Sequence, residues 1–583
     1  MEALVGKALD ECMGLQSTIL PEGVIVLGRI LSREKNTIDL EDRLLNRVKL
    51  CILKGKIHDV EDSSHTGLSE VFNRSYHDFS PSDHVRLKQQ CFQLLASFAE
   101  NSEIRVTEVC QLLMVVLDLE WTVNFGQNGM SSVLNEDEAY ALLYDLAQRS
   151  LVSIEEISST GRIKTIRLKG LMRDFCVLVA KQADLKLQVI DSGAEMGSPA
   201  SGRIAKEVHP MTKQRMLAIN AAIMDARQCH NISNDIGYRG LSSFICSKTL
   251  PAGSGLKKLL KRLKRLRILK LENQERFVKI AKRIGKLKFL MFFSLKGSFV
   301  EEVPSSISEL KFLLILDLRT NCALKLPNLL WKLRRLRHLY LPHEGYIVRG
   351  GEKLRLNGLT NLRKLVNISI EDCDLNVLVT FLQLEKLVCV RRSPGQVSFP
   401  RTGGKLFNCL RSLTVEIPFG ADVDISPILS CCGPSVKRLR LIGIRTLPEV
   451  NEFPPNLHKL TLKKAYLRDD PMMILGKLRC LKFLRLLEKV FNGTEMNCSQ
   501  GDFKLLVSLR LEKQQHLERW NVAEGSLCHL QRLEIVECRN LSANPDALRR
   551  APLLREILIH EMPEQFKREV QRQLPDLTLL AQI

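Results

Sequence analysis

The sequence predicts an α/β solenoid of about 13–14 repeats, entered through a mostly helical region. A Leu-x-x-Leu-x-Leu pattern recurs through the second half of the 583 residues, and ahead of it three helical patterns lead into two short strand-like runs. Charge separates the two parts: the formal charge of +21 divides into about −4 over residues 1–250 and about +25 over residues 251–583. With 45% hydrophobic and 26% charged residues the composition is that of a folded chain rather than a disordered one. No stretch approaches the roughly 18 apolar residues that span a bilayer. Met1-Glu2-Ala3 opens no basic-then-apolar leader, and the 17 cysteines are odd in number without Cys-x-x-Cys spacing, so reduced thiols in a cytosolic or nuclear compartment are expected.

The repeats are regular. Leu266/Leu269/Leu271, Leu290/Phe293/Leu295, Leu313/Leu316/Leu318 and Leu336/Leu339/Leu341 begin a series. It continues through Leu384/Leu387/Cys389, Leu410/Leu413/Val415, Val436/Leu439/Leu441, Leu457/Leu460/Leu462, Leu481/Leu484/Leu486, Leu506/Leu509/Leu511 and Leu530/Leu533/Ile535 to Leu554/Ile557/Ile559. Leu362/Leu365 is a poorer unit in the one gap, and Leu241/Phe244/Cys246 a leading one. The step is about 24 residues, inside the leucine-rich-repeat range, whereas a helical bundle would repeat every 3.6 residues. Leu-x-Leu on a short strand sends one side chain inward and the next outward. A single coil cannot bury enough surface to fold alone, so neighbours must stack. Val303-Pro304-Ser305-Ser306-Ile307 and Leu326-Pro327-Asn328-Leu329-Leu330 form return segments, where proline ends a strand ladder.

The outward positions would line a concave face that holds a partner. They include Lys270, Arg319, His338, Tyr340, Arg438, Arg440, Lys459, Lys463, Arg485, Arg510 and Arg532, with fewer acids such as Asp317 and Glu534, so a protein partner with acidic character is expected. The run Lys257 to Arg267 is dense in cations, but its leucines lead into a repeat and no aromatics interleave to stack bases, so nucleic acid is not the expected ligand.

In the N-terminal part, apolar spacing predicts short helices over residues 1–66, then helices over Val85–Phe98, Val106–Leu119 and Asp137–Arg149, the last capped by Asn135. Strand-like runs Leu151–Ile154 and Ile163–Leu168 follow, then a helix over Leu171–Ala183. Three helices and a two-stranded wing are the composition of a winged-helix domain. Residues 185–235, rich in Gly, Ser and Pro, read as a flexible linker.

Several blocks in this order resemble plant nucleotide-binding leucine-rich-repeat disease-resistance proteins of the coiled-coil class. They are Ser75-Tyr76-His77-Asp78, Leu87-Lys88-Gln89-Gln90-Cys91-Phe92-Gln93-Leu94, Phe98-Ala99-Glu100-Asn101-Ser102-Glu103-Ile104, Asp145-Leu146-Ala147-Gln148-Arg149-Ser150-Leu151-Val152, Leu171-Met172-Arg173-Asp174 and Trp331 to Pro342. The resemblance implies a partial ARC-type helical subdomain over 1–66, a winged helix over 67–184, the linker, and the repeat domain over 236–583. It also implies a chain truncated at its N-terminus, inside the family's ATPase module. The family binds ADP or ATP, but every Gly-Lys pair here lacks the following Ser/Thr of a P-loop. The resemblance implies that Pro21 and Lys169 are degenerate remnants of the family's ADP contacts: five residues separate Gly14-Leu15 from Pro21, and Leu168-Lys169-Gly170 aligns with the family's Met-His-Asp. No bound cofactor is expected.

No His-Glu-x-x-His, Gly-x-Ser-x-Gly or zinc-type cysteine spacing occurs, so no enzyme or metal site is expected. The resemblance implies an intracellular immune receptor-like protein whose solenoid recognises a pathogen effector or a host protein, with other receptors of the class as further partners. The location implied is cytoplasmic, with the nucleus or a membrane periphery left open. Two alternatives stay open, a solenoid adaptor such as a substrate receptor for ubiquitin ligation, and a nonfunctional truncated product.

Overall fold

The computed structural model describes residues 85–99, 101–124, 135–158, 161–168, 172–173, 175–177, 179, 187–190, 216–219, 241–247, 261, 263–275, 282–372, 375–378, 380–392, 407–418, 423–542, 551–573 and 578–580. The expected helices of residues 1–66, together with Pro21 and Lys169, lie outside them. The chain divides into two compact units, Met1–Glu275 with Leu290–Phe292, and Arg276–Phe289 with Phe293–Ile583.

The first unit begins with helices α1 (Val85–Leu95), α2 (Val106–Asn124) and α3 (Glu136–Gln148). Cys91, Phe92, Leu94 and Leu95 of α1 meet Leu112, Leu113 and Met114 of α2 and Leu143 and Leu146 of α3 in a core closed to solvent. Asn135 caps α3 as expected: its Oδ1 accepts from Glu138 N at 2.9 Å, and Asn135 N donates to Glu138 Oε2 at 2.8 Å. A third strand joins the two that the sequence suggested. Strands β2 (Ser153–Ile157) and β3 (Ile163–Arg167) pair antiparallel, and β1 (Ile104–Arg105) adds to the other edge of β3, giving the order β1-β3-β2. Ile163 N donates to Tyr140 Oη at 2.9 Å, and Arg162 lies 4.3 Å from the Tyr140 ring, which ties this sheet to α3. Phe175 meets Phe92 at 6.0 Å between centroids, and Cys176 Sγ donates to Phe92 O at 2.8 Å.

A parallel ribbon completes this unit: β4 (Leu187–Ile190), β5 (Met216–Ile219), β6 (Ser243–Cys246) and β7 (Ile268–Leu271) pair in sequence order. Two of these strands correct the reading of residues 185–235 as a linker. Leu217-Ala218-Ile219 keeps the repeat's alternation, but Gln214 replaces the leading leucine, which hid the unit.

In the second unit, β8 (Phe292–Ser294) is followed by β9 (Ile315–Asp317), β10 (Leu324–Leu326), β11 (His338–Tyr340), β12 (Tyr346–Val348) and β13 (Lys364–Ser369). Next come β14 (Lys386–Val390), β15 (Ser412–Glu416), β16 (Arg438–Ile442), β17 (Lys459–Lys463) and β18 (Phe483–Leu487). The last are β19 (Glu495–Cys498), β20 (Ser508–Glu512), β21 (Arg519–Val522), β22 (Arg532–Val536), β23 (Glu556–His560) and β24 (Thr578–Leu580). The order β9-β11-β13-β14-β15-β16-β17-β18-β20-β22-β23-β24 is parallel throughout. The pairs β10-β12 and β19-β21 form separate short ladders. The weak repeat at Leu362/Leu365 is a full strand whose register shifts between Leu365 and Ile368.

The inward leucines make one continuous core: Leu313, Leu316, Leu336, Leu339, Leu410, Leu413, Leu460, Leu462, Leu484 and Leu486 expose no surface. Backbone bonds carry each coil to the next. Arg363 O accepts from Glu385 N and Lys386 N at 2.8 and 3.1 Å, Glu385 O from Arg411 N and Ser412 N at 2.8 and 3.1 Å, and Lys437 O from His458 N and Lys459 N, both at 3.0 Å. Side-chain amides add stitches, with Asn361 Nδ2 donating to Arg334 O at 3.0 Å and Asn456 Nδ2 to Pro434 O at 3.1 Å.

The residue after the strand turns left-handed at six exits, Gly443, Lys464, Glu488, Lys513, Glu537 and Glu561, with φ between 50° and 77°. At Gly443 a Cβ would strike the Ile417 carbonyl, so that exit requires glycine. Leu460→Ala is therefore expected to cost about 2–5 kcal/mol, and Gly443→Ala about 2 kcal/mol through strain and collision. Urea unfolding followed by circular dichroism tests both, and unchanged midpoints would contradict the packing described.

Candidate functional site

The outward side chains of the ribbon form three rows, fixed by strand register. The middle row runs Val388, Thr414, Arg440, Thr461, Arg485, Arg510, Glu534 across β14 to β22. One row toward the strand starts lie Lys386, Ser412, Arg438, Lys459, Phe483, Ser508 and Arg532. One row toward the strand ends lie Val390, Glu416, Ile442, Lys463, Leu487, Glu512 and Val536. Adjacent strands in such a ribbon lie about 4.8 Å apart, so members of one row are close neighbours.

The predicted contact residues fall into three groups. Lys270, His338 and Tyr340 are buried, at 2%, 1% and 8% exposure, and are corrected here: they are not open to a partner. Lys270 on β7 meets Glu108, in the first turn of α2, and Glu272 at 3.2 Å, with its Nζ 5.6 Å from the Phe98 ring. Burial alone would pull its pKa down, but the two carboxylates raise it, so the ammonium stays charged. No local pattern marks this pairing, because Glu108 and Lys270 lie 162 residues apart. His338 stands edge-on to Tyr340 with centroids 6.2 Å apart, and Arg319 covers the Tyr340 ring at 4.5 Å. Burial, then the cations Lys364, Arg337 and Arg363, hold the His338 pKa well below its ordinary value.

A second group faces outward with its charge matched by acids. Arg319 pairs with Asp317. Lys463 meets Glu488 at 2.8 Å, Arg510 meets Glu512 and Glu534 at 2.6 and 2.7 Å, and Arg532 meets Glu556 at 2.5 Å. Such exposed pairs contribute little to stability, but they cancel charge.

Arg438, Arg440, Lys459 and Arg485 remain. Arg438 and Arg440 are exposed, while Lys459 and Arg485 are half-buried. Among the described residues neither Arg440 nor Arg485 forms an ion pair. A residue column that the sequence reading passed over lies just before the strands, where Arg363, Glu385, Arg411, Lys437, His458 and Lys482 follow one another on the backbone ladder. A pocket of about 640 Å³ opens there, lined among others by Arg363, Glu385, Arg411, Lys437 and Arg438. The column was legible as the residue after the first leucine of each motif, at Leu410-Arg411 and Val436-Lys437. Among the described residues no cluster of His, Cys, Asp or Glu could hold a metal, and no helix is long and apolar enough to cross a membrane.

Comparison with known proteins agrees with this geometry. Residues 245–577 match the family model described as leucine-rich repeat region. The chain is similar to two plant disease resistance proteins of Arabidopsis thaliana. It is 27% identical to putative disease resistance protein At1g59780 over 75% of this chain and 46% of that protein. To disease resistance RPP8-like protein 3 it is 27% identical over 77% of this chain and 48% of that protein. The chain thus spans less than half the length of these relatives. Among solved structures, the LRR protein LIC12759 of Leptospira interrogans aligns with a TM-score of 0.33 and 15% identity, over 65% of this chain and 97% of that one.

Two outcomes follow. Lys270→Met should cost about 3–5 kcal/mol by stranding two carboxylates, and adding Glu108→Gln should restore part of that loss; additive losses in thermal unfolding would contradict the pairing. For His338, the unfolded chain takes up a proton below its ordinary pKa of about 6.5 while the folded chain does not, so stability held above that pH is lost as pH falls from there toward the folded pKa. His338→Phe should flatten that decline in urea midpoints read between about pH 7.5 and about pH 5.5.

Proposed function

We infer a function from the premise that this chain belongs to the leucine-rich repeat region family: its parallel-strand face is a recognition surface for a protein, in a receptor of the plant disease-resistance type. The single observation that supports this is the outward middle row over β15 to β18, where Arg440 stands between Thr414 and Thr461 and Arg485 follows Thr461, neither with an acidic partner among the described residues. Cations whose charge the fold does not use are available to another molecule. The similarity to disease resistance proteins supports a pathogen effector or a host protein as the molecule recognised.

Residues 85–179 form a winged-helix unit on this reading, with α1 to α3 as its helices and β1 to β3 as its wing. The pair Glu108–Lys270 joins that unit to the start of the ribbon, so the helical part serves as a cap for the first coils. Recognition, not nucleotide hydrolysis, is the role these residues support, because no Gly-Lys pair in the sequence continues into a P-loop.

The test is capture from plant tissue of proteins bound to the tagged full chain, compared with a Thr414→Trp/Ser508→Trp variant that obstructs the face without altering net charge. A defined set of proteins should be depleted about tenfold with the variant, given that a bulky ring breaks shape complementarity over several strands. Equal recovery by both proteins, with matching circular dichroism, would overturn the reading.

A further inference from the structure

Resting on the recognition surface just described, we propose that the segment seated on it is an extended acidic peptide, whose carboxylates are held by Arg411, Lys437, Arg440 and Arg485. Arg411 and Lys437 are exposed and adjacent on the backbone ladder, Lys437 N donating to Arg411 O at 3.1 Å. Arg440 sits on the strand that Lys437 precedes, and Arg485 lies two strands further along the same row, separated from it by Thr461. Among the described residues none of these four cations has an ion pair, in contrast to Lys463, Arg510 and Arg532 on the same ribbon. Glu385 is the one acid in the pocket lining, and it already faces Arg363 at 3.7 Å. The surroundings hold an independent sign of this positive field: Arg337, Arg363 and Lys364, at the starts of the neighbouring strands, disfavour a proton on His338.

The groups between the cations choose a peptide over other anions. Thr414 offers a hydroxyl, and Val388, Ile442 and Leu487 are aliphatic neighbours in the adjoining positions. Phe483 is the single aromatic side chain along β14 to β18, too few for a series of stacked bases. Two strand spacings separate Arg440 from Arg485 by roughly 10 Å, close to the rise of about one three-residue turn of extended chain in the polyproline II form, so acids at every third position share one face and match them. A second pocket, about 620 Å³ beside Asp470, offers no such site. There the carboxylate already accepts from Met472 N at 2.9 Å and Asn497 N at 2.6 Å.

The experiment is fluorescence anisotropy of the full chain with a fluorescein-labelled peptide of Glu-Val-Ser triplets, beside a Gln-Val-Ser counterpart and a labelled oligo-dT. The Glu peptide should bind and the Gln peptide should not. Its affinity should fall by about tenfold between roughly 50 and roughly 300 mM NaCl. Arg411→Glu/Lys437→Glu and Arg440→Glu/Arg485→Glu should each weaken it at least about tenfold, whereas Lys504→Glu/Arg539→Glu, the same charge change elsewhere on the surface, should not. Arg440→Gln/Arg485→Gln gives the same reading should charge reversal disturb folding. Equal binding of the Gln peptide, wild-type affinity in the folded concave variants, or tighter binding of oligo-dT would each overturn the proposal, the last assigning the face to nucleic acid. Loss of the Glu peptide alone leaves the recognition reading standing, because the tryptophan variant tests that reading without charge. Should the tryptophan variant recover every partner while the Glu peptide binds as expected, the recognition reading fails instead.

Discussion

A coil of this ribbon cannot satisfy its own backbone. Each carbonyl at the entry to a strand accepts two N–H groups from the coil that follows, as Arg363 O does from Glu385 and Lys386 and Lys437 O from His458 and Lys459. Removing one coil would leave those polar groups buried without partners. From this requirement the rest follows: strands must be parallel and in register, leucines must repeat at one spacing to meet the same leucines above and below, and the intervening positions are pushed outward into rows. The candidate site is thus a by-product of backbone bookkeeping, since register alone sets Arg440 beside Thr461 and Arg485 beside Arg510.

Charge is then sorted by position along the ribbon. At β7 a lysine in an outward position is sealed beneath α2 and matched to two carboxylates, an arrangement that loses heavily if one partner is removed. On β20 and β22 the arginines are matched by acids of their own or the next strand. Between them, from β15 to β18, the cations outnumber the acids. A basic total charge therefore says little by itself; what matters is that charge is matched at some positions and, among the described residues, without an ion pair at Arg440 and Arg485.

Most of the repeat domain was legible from leucine spacing, because inward positions are forced by burial and read the same in every coil. The Asn135 cap was legible for a related reason, being set by residues three apart. The strands at 187–190 and 216–219 were not, since Gln188 stands for the second leucine in the first and Gln214 for the leading one in the second, among Gly, Ser and Pro. The outward set was legible only as a set. Which of its members are covered depends on elements distant in the chain: Lys270 is covered by Glu108 and Phe98, neither of which any local pattern connects to it. The column of Arg411 and Lys437 was visible in the motif, but its importance came from the pocket that its neighbours enclose.

The left-handed strand exits have an energetic consequence. Of the six, only Gly443 has no side chain; Lys464, Glu488, Lys513, Glu537 and Glu561 hold lysine or glutamate where the backbone would rest more easily without one, at about 1–2 kcal/mol each. All five lie beyond β16, so that backbone cost is carried by the coils downstream of it, at exits where glycine would rest without it.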